Sequence, residues 1–425
     1  LNGAGNWAPH AVIENPCNPR GFFFTLLRIC GTVMKNHMGI HMRQTMSDVA
    51  TQFVNNSLFD TIEWRVDQAG QTVDAGLVGA CPDHADPIYR IYSMTKPIVS
   101  VLALMLIERG YFTLATPIAQ FDPNFTNMRV LDDTGRIEPT GTLITIEHLL
   151  THQAGLSYDF SRGCTVAPYY REMGFLERAD RDLTDAMAEL AQLPLAFHPG
   201  TSWRYSVATD VLAHIIETAT GQRLDDLLRE CLFNPLGMLD TGFYVADTER
   251  PRVMRMFGTQ DLHGLPPLDP RPHALSEIDV SKTAPMDAPN FRRGGHGLFS
   301  TMGDYMKFAN MLLTGKFPDG TPALSAPMHA MMRAPRVPFG ARGMRINDDP
   351  FAGYGWNLIG RVMIDLGRAD RMTSLGEFGW SGAAATYFWV DPISQVTGCI
   401  MTQFLGNQHP LAIKMQSAAM MPLDV

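Results

Sequence analysis

Ser93 and Lys96 stand three residues apart in Ile91-Tyr92-Ser93-Met94-Thr95-Lys96-Pro97, where the chain enters an apolar run over 98–107. If that run is a helix, this spacing puts the hydroxyl and the amine on one face, a turn apart. A serine hydroxyl is a weak nucleophile at neutral pH and must lose its proton as it attacks. Lysine can take that proton only when uncharged, which calls for burial and nearby positive charge or dipole. A helix first turn set against a packed core supplies both. The pair is therefore read as nucleophile and base; by itself, a short motif of this kind equally suits an N-cap serine and a solvated lysine.

Several elements must hold such a pair. Alternation over 61–67 and 72–78 around Ala69-Gly70 predicts an antiparallel hairpin leading into the motif helix, which stops at Arg109-Gly110. Helix-period segments follow at 144–152, 182–193, 207–220 and 224–232, punctuated by Pro194, Pro199, Gly200, Gly221 and Pro235. Residues 262–297 hold six prolines in an irregular connection expected to wall one side of a cleft. A capped helix is expected from Ser300 through Leu313. Strand patterns return at 356–364, 383–390 and 396–404, before a helix over 410–420. Strands at both ends with helices between predict an α/β (α+β) fold: one antiparallel sheet built from both termini, flanked by helices, with an inserted helical domain. The expected division is 47–112 plus 290–425 for the α/β part and 113–289 for the helical part. Residues 1–46 read as a leader or extension.

Composition narrows the function. The chain has 425 residues and a formal net charge of -9, with no dense Lys/Arg run, which argues against nucleic acid as a partner. The apolar stretch 21–30 is too short to span a bilayer and is broken by Arg28, so no membrane partner is expected. Six scattered cysteines without a Cys-x-x-Cys pair suit reduced thiols and a cytoplasmic setting, although the N-terminal stretch leaves export open. His148 and His152 share a helix face without a His-Glu-x-x-His pattern, and His37 and His41 are read the same way: no metal is expected.

Five patches occur in order: Ser93-Met94-Thr95-Lys96; Leu149-Leu150-Thr151-His152-Gln153-Ala154-Gly155-Leu156; Trp203-Arg204-Tyr205-Ser206-Val207; Pro235-Leu236-Gly237-Met238; and Gly294-Gly295-His296-Gly297-Leu298. From about Phe53 to the C-terminus the chain resembles the penicillin-recognising serine hydrolases, and within them the class C β-lactamases and family VIII carboxylesterases. The resemblance implies a β-lactamase/transpeptidase-like fold, an acyl-enzyme on Ser93, Lys96 and Tyr205 as its proton carriers, and no cofactor. It puts Trp380-Ser381-Gly382-Ala383 in the place of the Lys-Thr-Gly element, with the amides of Ser93 and Ala383 as the oxyanion hole. Lys282-Thr283-Ala284 comes before the Gly-Gly-His-Gly patch and is set aside.

Tyr158, Val207, Trp380, Ser381 and Gly382 are the expected substrate-binding residues. Val207 and Trp380 replace the asparagine and lysine that grip a β-lactam, so short-chain neutral esters fit better. Cephalosporin hydrolysis, D-aminopeptidase or acyltransferase activity, and an inactive ligand-binding relative are the alternatives. An α/β-hydrolase elbow at Gly379-Trp380-Ser381-Gly382 is set aside, because only Asp391 and His409 follow to complete a triad.

Overall fold

In the computed structural model the described residues are 44–81, 86–132, 134–176, 178, 181–261, 275–337, 344–347 and 349–421. The chain divides into Leu1–Gln44 and Thr45–Val425, and the fold is that of the second unit. The leader reading, His37 and His41 lie outside the described residues, as does 262–274 of the proline-rich connection.

Seven antiparallel strands make the main sheet: β1 (Thr61–Gln68), β2 (Gln71–Gly79), β3 (Tyr354–Trp356), β4 (Arg361–Met363), β5 (Phe378–Ser381), β6 (Tyr387–Asp391) and β7 (Val396–Met401). Their order is β3-β4-β5-β6-β7-β1-β2, so the N-terminal hairpin adds to the C-terminal strands through the β1–β7 pair. This is the sheet expected from both ends of the chain. One expected strand over 356–364 is instead the hairpin β3–β4, and β5 went unrecognised as a strand.

Alternation along the strands explains why both faces are covered. On β6, Tyr387 and Trp389 join a core with Ile62, Trp64, Leu411 and Met415, whereas Phe388 and Val390 join the larger core on the other face. The first face is closed by α1 (Met46–Asn55), begun by a Thr45/Asp48 capping box, and by the C-terminal helix Leu411–Ala419. Against the second lies the capped helix Met302–Thr314.

The motif helix, α2 (Thr95–Glu108), is buried on all sides from Thr95 through Leu106, which suits a helix running through the core. The longer α3 (Ala208–Thr220) packs on it, and the short helices Ile146–Leu150 and Leu183–Leu190 pack on α3, all in one continuous core with the sheet's inner face. No described helix is long and apolar enough to cross a membrane.

Candidate active site

Ser93 sits in a single 3₁₀ turn, Tyr92–Met94, immediately before α2. Tyr92 takes φ 43°, a left-handed conformation unusual for a large side chain, and this bend turns the chain from a short strand into the helix. Such backbone is kept only where the surroundings over-determine it. Here Ile91 N–H donates to the Leu298 carbonyl, and the Tyr305 hydroxyl donates to the Met94 carbonyl.

Lys96 follows one turn on, only 2% exposed. Its Nζ donates to Ser93 Oγ at 3.1 Å, to the Tyr158 hydroxyl at 2.9 Å and to the Gly295 carbonyl at 2.7 Å. Burial brings its pKa down to about 7, partly offset by the charge of Asp210. An amine with that affinity is substantially unprotonated near neutral pH and can accept a proton from the serine.

Tyr205 comes from the loop before α3. Arg204 N–H donates to the His152 carbonyl and Val207 N–H to that of Ser157, which locks this loop against the one carrying Tyr158. The Tyr205 hydroxyl lies near Ser93, whose side chain favours its ionised form, and accepts from Trp380 Nε1 at 3.0 Å. Its ring lies 4.7 Å from Lys96 Nζ. Burial pushes the Tyr205 phenol well up, so it rests neutral, and the same holds for Tyr158. A resting phenolate is therefore disfavoured. The amine is the better first acceptor.

Ser381 ends β5, and Gly382–Thr386 turns into β6. A Cβ on Gly382 would lie 2.4 Å from the Ile91 carbonyl, so only glycine lets this turn approach the segment holding Ser93. Ala383 is exposed at the turn. Among the described residues, neither its N–H nor that of Ser93 has a backbone acceptor.

The Trp380 segment lies on β5, third from the sheet edge, because the short hairpin β3–β4 extends the sheet beyond it. Two expectations need correction. Val207 is completely buried in the core at the start of α3 and offers no surface to a substrate. Trp380 is also buried, stacked on Phe351 with ring centroids 5.6 Å apart, and reaches the site by its indole N–H. Tyr158, expected to line the cleft, meets the lysine directly. His148 caps its own short helix, and His152 contacts Ser206 Oγ at 3.2 Å.

Sequence reasoning missed Asp210. It is fully buried, and its Oδ1 accepts the Gly295 N–H at 3.0 Å. A polar residue on the first turn of a helix with an otherwise apolar inner face, three positions after Val207, was the available signal.

The hydroxyl and amine of one stretch thus meet a phenol from another, distant in sequence. The β-lactamase family model matches residues 64–416. The chain belongs to the β-lactamase family. An uncharacterized protein of Mycobacterium tuberculosis is 33% identical to it over 328 residues, covering 75% of this chain and 77% of that one. Esterase EstB of Burkholderia gladioli is 28% identical over 352 residues, 79% of this chain and 83% of its own. Among solved structures, EstCE1, a hydrolase with promiscuous acyltransferase activity, superposes with a TM-score of 0.72 at 24% identity, covering 88% of this chain and 97% of that one. The fold is the β-lactamase and penicillin-binding-protein fold, and the chain is a serine hydrolase resembling the family VIII esterases.

Proposed function

We propose that this β-lactamase-family protein is a carboxylesterase that cleaves short-chain acyl esters through an acyl-enzyme on Ser93. The observation that carries the reading is the buried Lys96 amine, with a pKa of about 7, 3.1 Å from the serine oxygen. In the first half-reaction Ser93 Oγ bonds to the ester carbonyl carbon as its proton passes to Lys96. The carbonyl π-bond pair becomes the oxyanion, received by the amides of Ser93 and Ala383, each such donor being worth about 3 kcal/mol. When the tetrahedral intermediate collapses, the C–O bond to the alcohol breaks. Tyr205 gives its proton to the departing alkoxide and is reprotonated from the Lys96 ammonium. Water then attacks the acyl carbon and the same groups carry its proton, finally returning one to Ser93.

Two features favour neutral esters over β-lactams. Val207 is apolar and buried, and the Trp380 N–H is already taken by Tyr205, so neither position offers a free donor to a β-lactam amide or carboxylate. The likeness to an esterase at 28% identity supports the same choice. Within this reading the 113–289 segment is the inserted helical domain, and the protein works on small-molecule esters without a cofactor.

Side-by-side turnover of p-nitrophenyl butyrate and a chromogenic cephalosporin tests it. The ester should be preferred by about 100-fold or more in kcat/KM, with the signal lost in Ser93→Ala. The reverse preference would make the protein a cephalosporinase. Ester turnover surviving in Ser93→Ala would remove the proposed nucleophile.

A further inference from the structure

Beyond the Gly295 carbonyl that meets Lys96 lies a polar cluster for which the hydrolytic steps above have no use. Its centre is Asp210, a fully buried carboxylate in the first turn of α3. Gly295 joins it to the lysine from both of its backbone groups: its N–H donates to Asp210 Oδ1 at 3.0 Å, and its carbonyl accepts from Lys96 Nζ at 2.7 Å. A Cβ on Gly295 would lie 2.3 Å from Asp210 Oδ2, and one on Gly294 would lie 2.7 Å from the Thr209 carbonyl. The paired glycines therefore let this segment lie directly on the helix.

Burying an aspartate is costly unless its charge is answered. Among the described residues Asp210 Oδ2 has no hydrogen-bond partner, and neither ring nitrogen of the buried His296 has one, although His296 Nδ1 is 3.9 Å from Oδ1. Lys96 and Arg293 are the cations whose fields act on the carboxylate, and the positive end of α3 adds to them. A neutral leucine or asparagine would satisfy a purely structural need at lower cost. The aspartate makes sense if its charge acts on the lysine.

We propose that Asp210, linked through Gly295, is a positioning residue for Lys96: it holds the Gly295 carbonyl against Nζ and supplies the buried negative charge against which the amine takes up and releases its proton. This rests on the reading of Lys96 as the base for Ser93. The carbonyl has no proton to give and can only accept from the amine. It therefore directs one N–H away from Ser93 and leaves the nitrogen lone pair available on the serine side.

The titratable and charged groups facing Lys96 are Ser93, Tyr158, Tyr205 and His152, together with Asp210, His296 and Arg293. Both histidines are held neutral by burial and by the cations beside them, and both tyrosines rest as phenols. Asp210 is the acid of the set: burial raises its pKa, while Lys96, the Gly295 N–H and Arg293 favour its charged form. Removing its charge disfavours the ammonium, so the lysine pKa falls and the acid limb of the activity profile moves to lower pH.

The test is the pH dependence of kcat/KM for p-nitrophenyl butyrate in the wild type and in Asp210→Asn, which keeps Oδ1 as an acceptor for Gly295, with folding checked by thermal melting. The acid limb should move down by about one pH unit, with kcat lowered more than KM is changed. Gly295→Ala, which drives the carboxylate away, is the second variant and should shift the limb in the same direction. A folded Asp210→Asn or Gly295→Ala enzyme whose limb stays at the wild-type pH overturns the proposal. Failure of both variants to fold makes Asp210 a folding residue only and overturns it too. Loss of this proposal alone leaves ester turnover dependent on Ser93, whereas turnover surviving in Ser93→Ala is the failure of the underlying esterase reading.

Discussion

A lysine amine normally holds its proton to pH 10.5, and burial beside Ser93 lowers that to about 7. Below that value the ammonium cannot accept the serine proton, so kcat/KM should fall about tenfold for each pH unit on the acid side. A pH–rate profile flat from pH 5 to 9 would contradict the assignment. Lys96→Ala should cost about 10³-fold in kcat, the scale seen when one member of a cooperating catalytic set is lost. Tyr205→Phe keeps the ring packed against Trp380 but removes the hydroxyl that lies near Ser93. Steady-state assay of that variant should show most of kcat lost, and a near-normal rate would eliminate the proton relay. Ser93, Lys96 and Tyr205 were legible because each stands in a short patch with its own spacing. Tyr158 was legible only as a cleft residue, since nothing in Ser157-Tyr158-Asp159 indicates which neighbour from another element its hydroxyl will meet.

At the scale of elements, the site depends on two close backbone approaches. Gly294-Gly295 lies on α3 and carries the carbonyl that meets Lys96. The Gly382 turn lies against Ile91 and carries the proposed oxyanion amide. Gly382→Ala should therefore lower kcat at least about tenfold with little change in KM, because a displaced turn weakens transition-state contacts more than ground-state ones. Matched losses of thermal stability and no kinetic effect would argue that the turn is only structural. Hairpin β1–β2, α2 and the C-terminal helix were readable from the sequence because period and punctuation agree there. Strand β5 was not: Phe378-Gly379-Trp380-Ser381 is too short for a period, and its glycine reads as a breaker. That glycine is present because a Cβ would lie 2.2 Å from the Phe388 carbonyl of the neighbouring strand. The burial of Val207 and Trp380 was equally hidden. A substrate role and a packing role use the same residue types, and only the tertiary fold separates them.

For the whole molecule, two titratable groups act on stability in opposite directions. Glu63, half-buried and accepting from the Tyr89 hydroxyl at 2.8 Å, has its pKa raised by desolvation from 4.5 to about 7. The native state thus binds more protons than the unfolded chain between those values, and stability should fall as pH rises through them. Lys96 is the converse case, binding fewer protons when native from about 7 upward, so its contribution rises with pH above 7 at a slope of at most about 1.4 kcal/mol per unit. Chemical denaturation across pH 5 to 9 should show the acid-side fall removed in Glu63→Gln and the alkaline-side rise removed in Lys96→Met. Unchanged slopes in both would contradict the two assignments. The chemistry and the alkaline half of this pH response share one source, an amine kept dry within reach of a hydroxyl. Its most direct test is intact-protein and peptide mass spectrometry after brief exposure to p-nitrophenyl butyrate and an acid quench. A single butyryl group on Ser93 is the predicted result, absent from Lys96→Ala at the same exposure; a butyryl group on another residue, or turnover with Ser93 never modified, would contradict it.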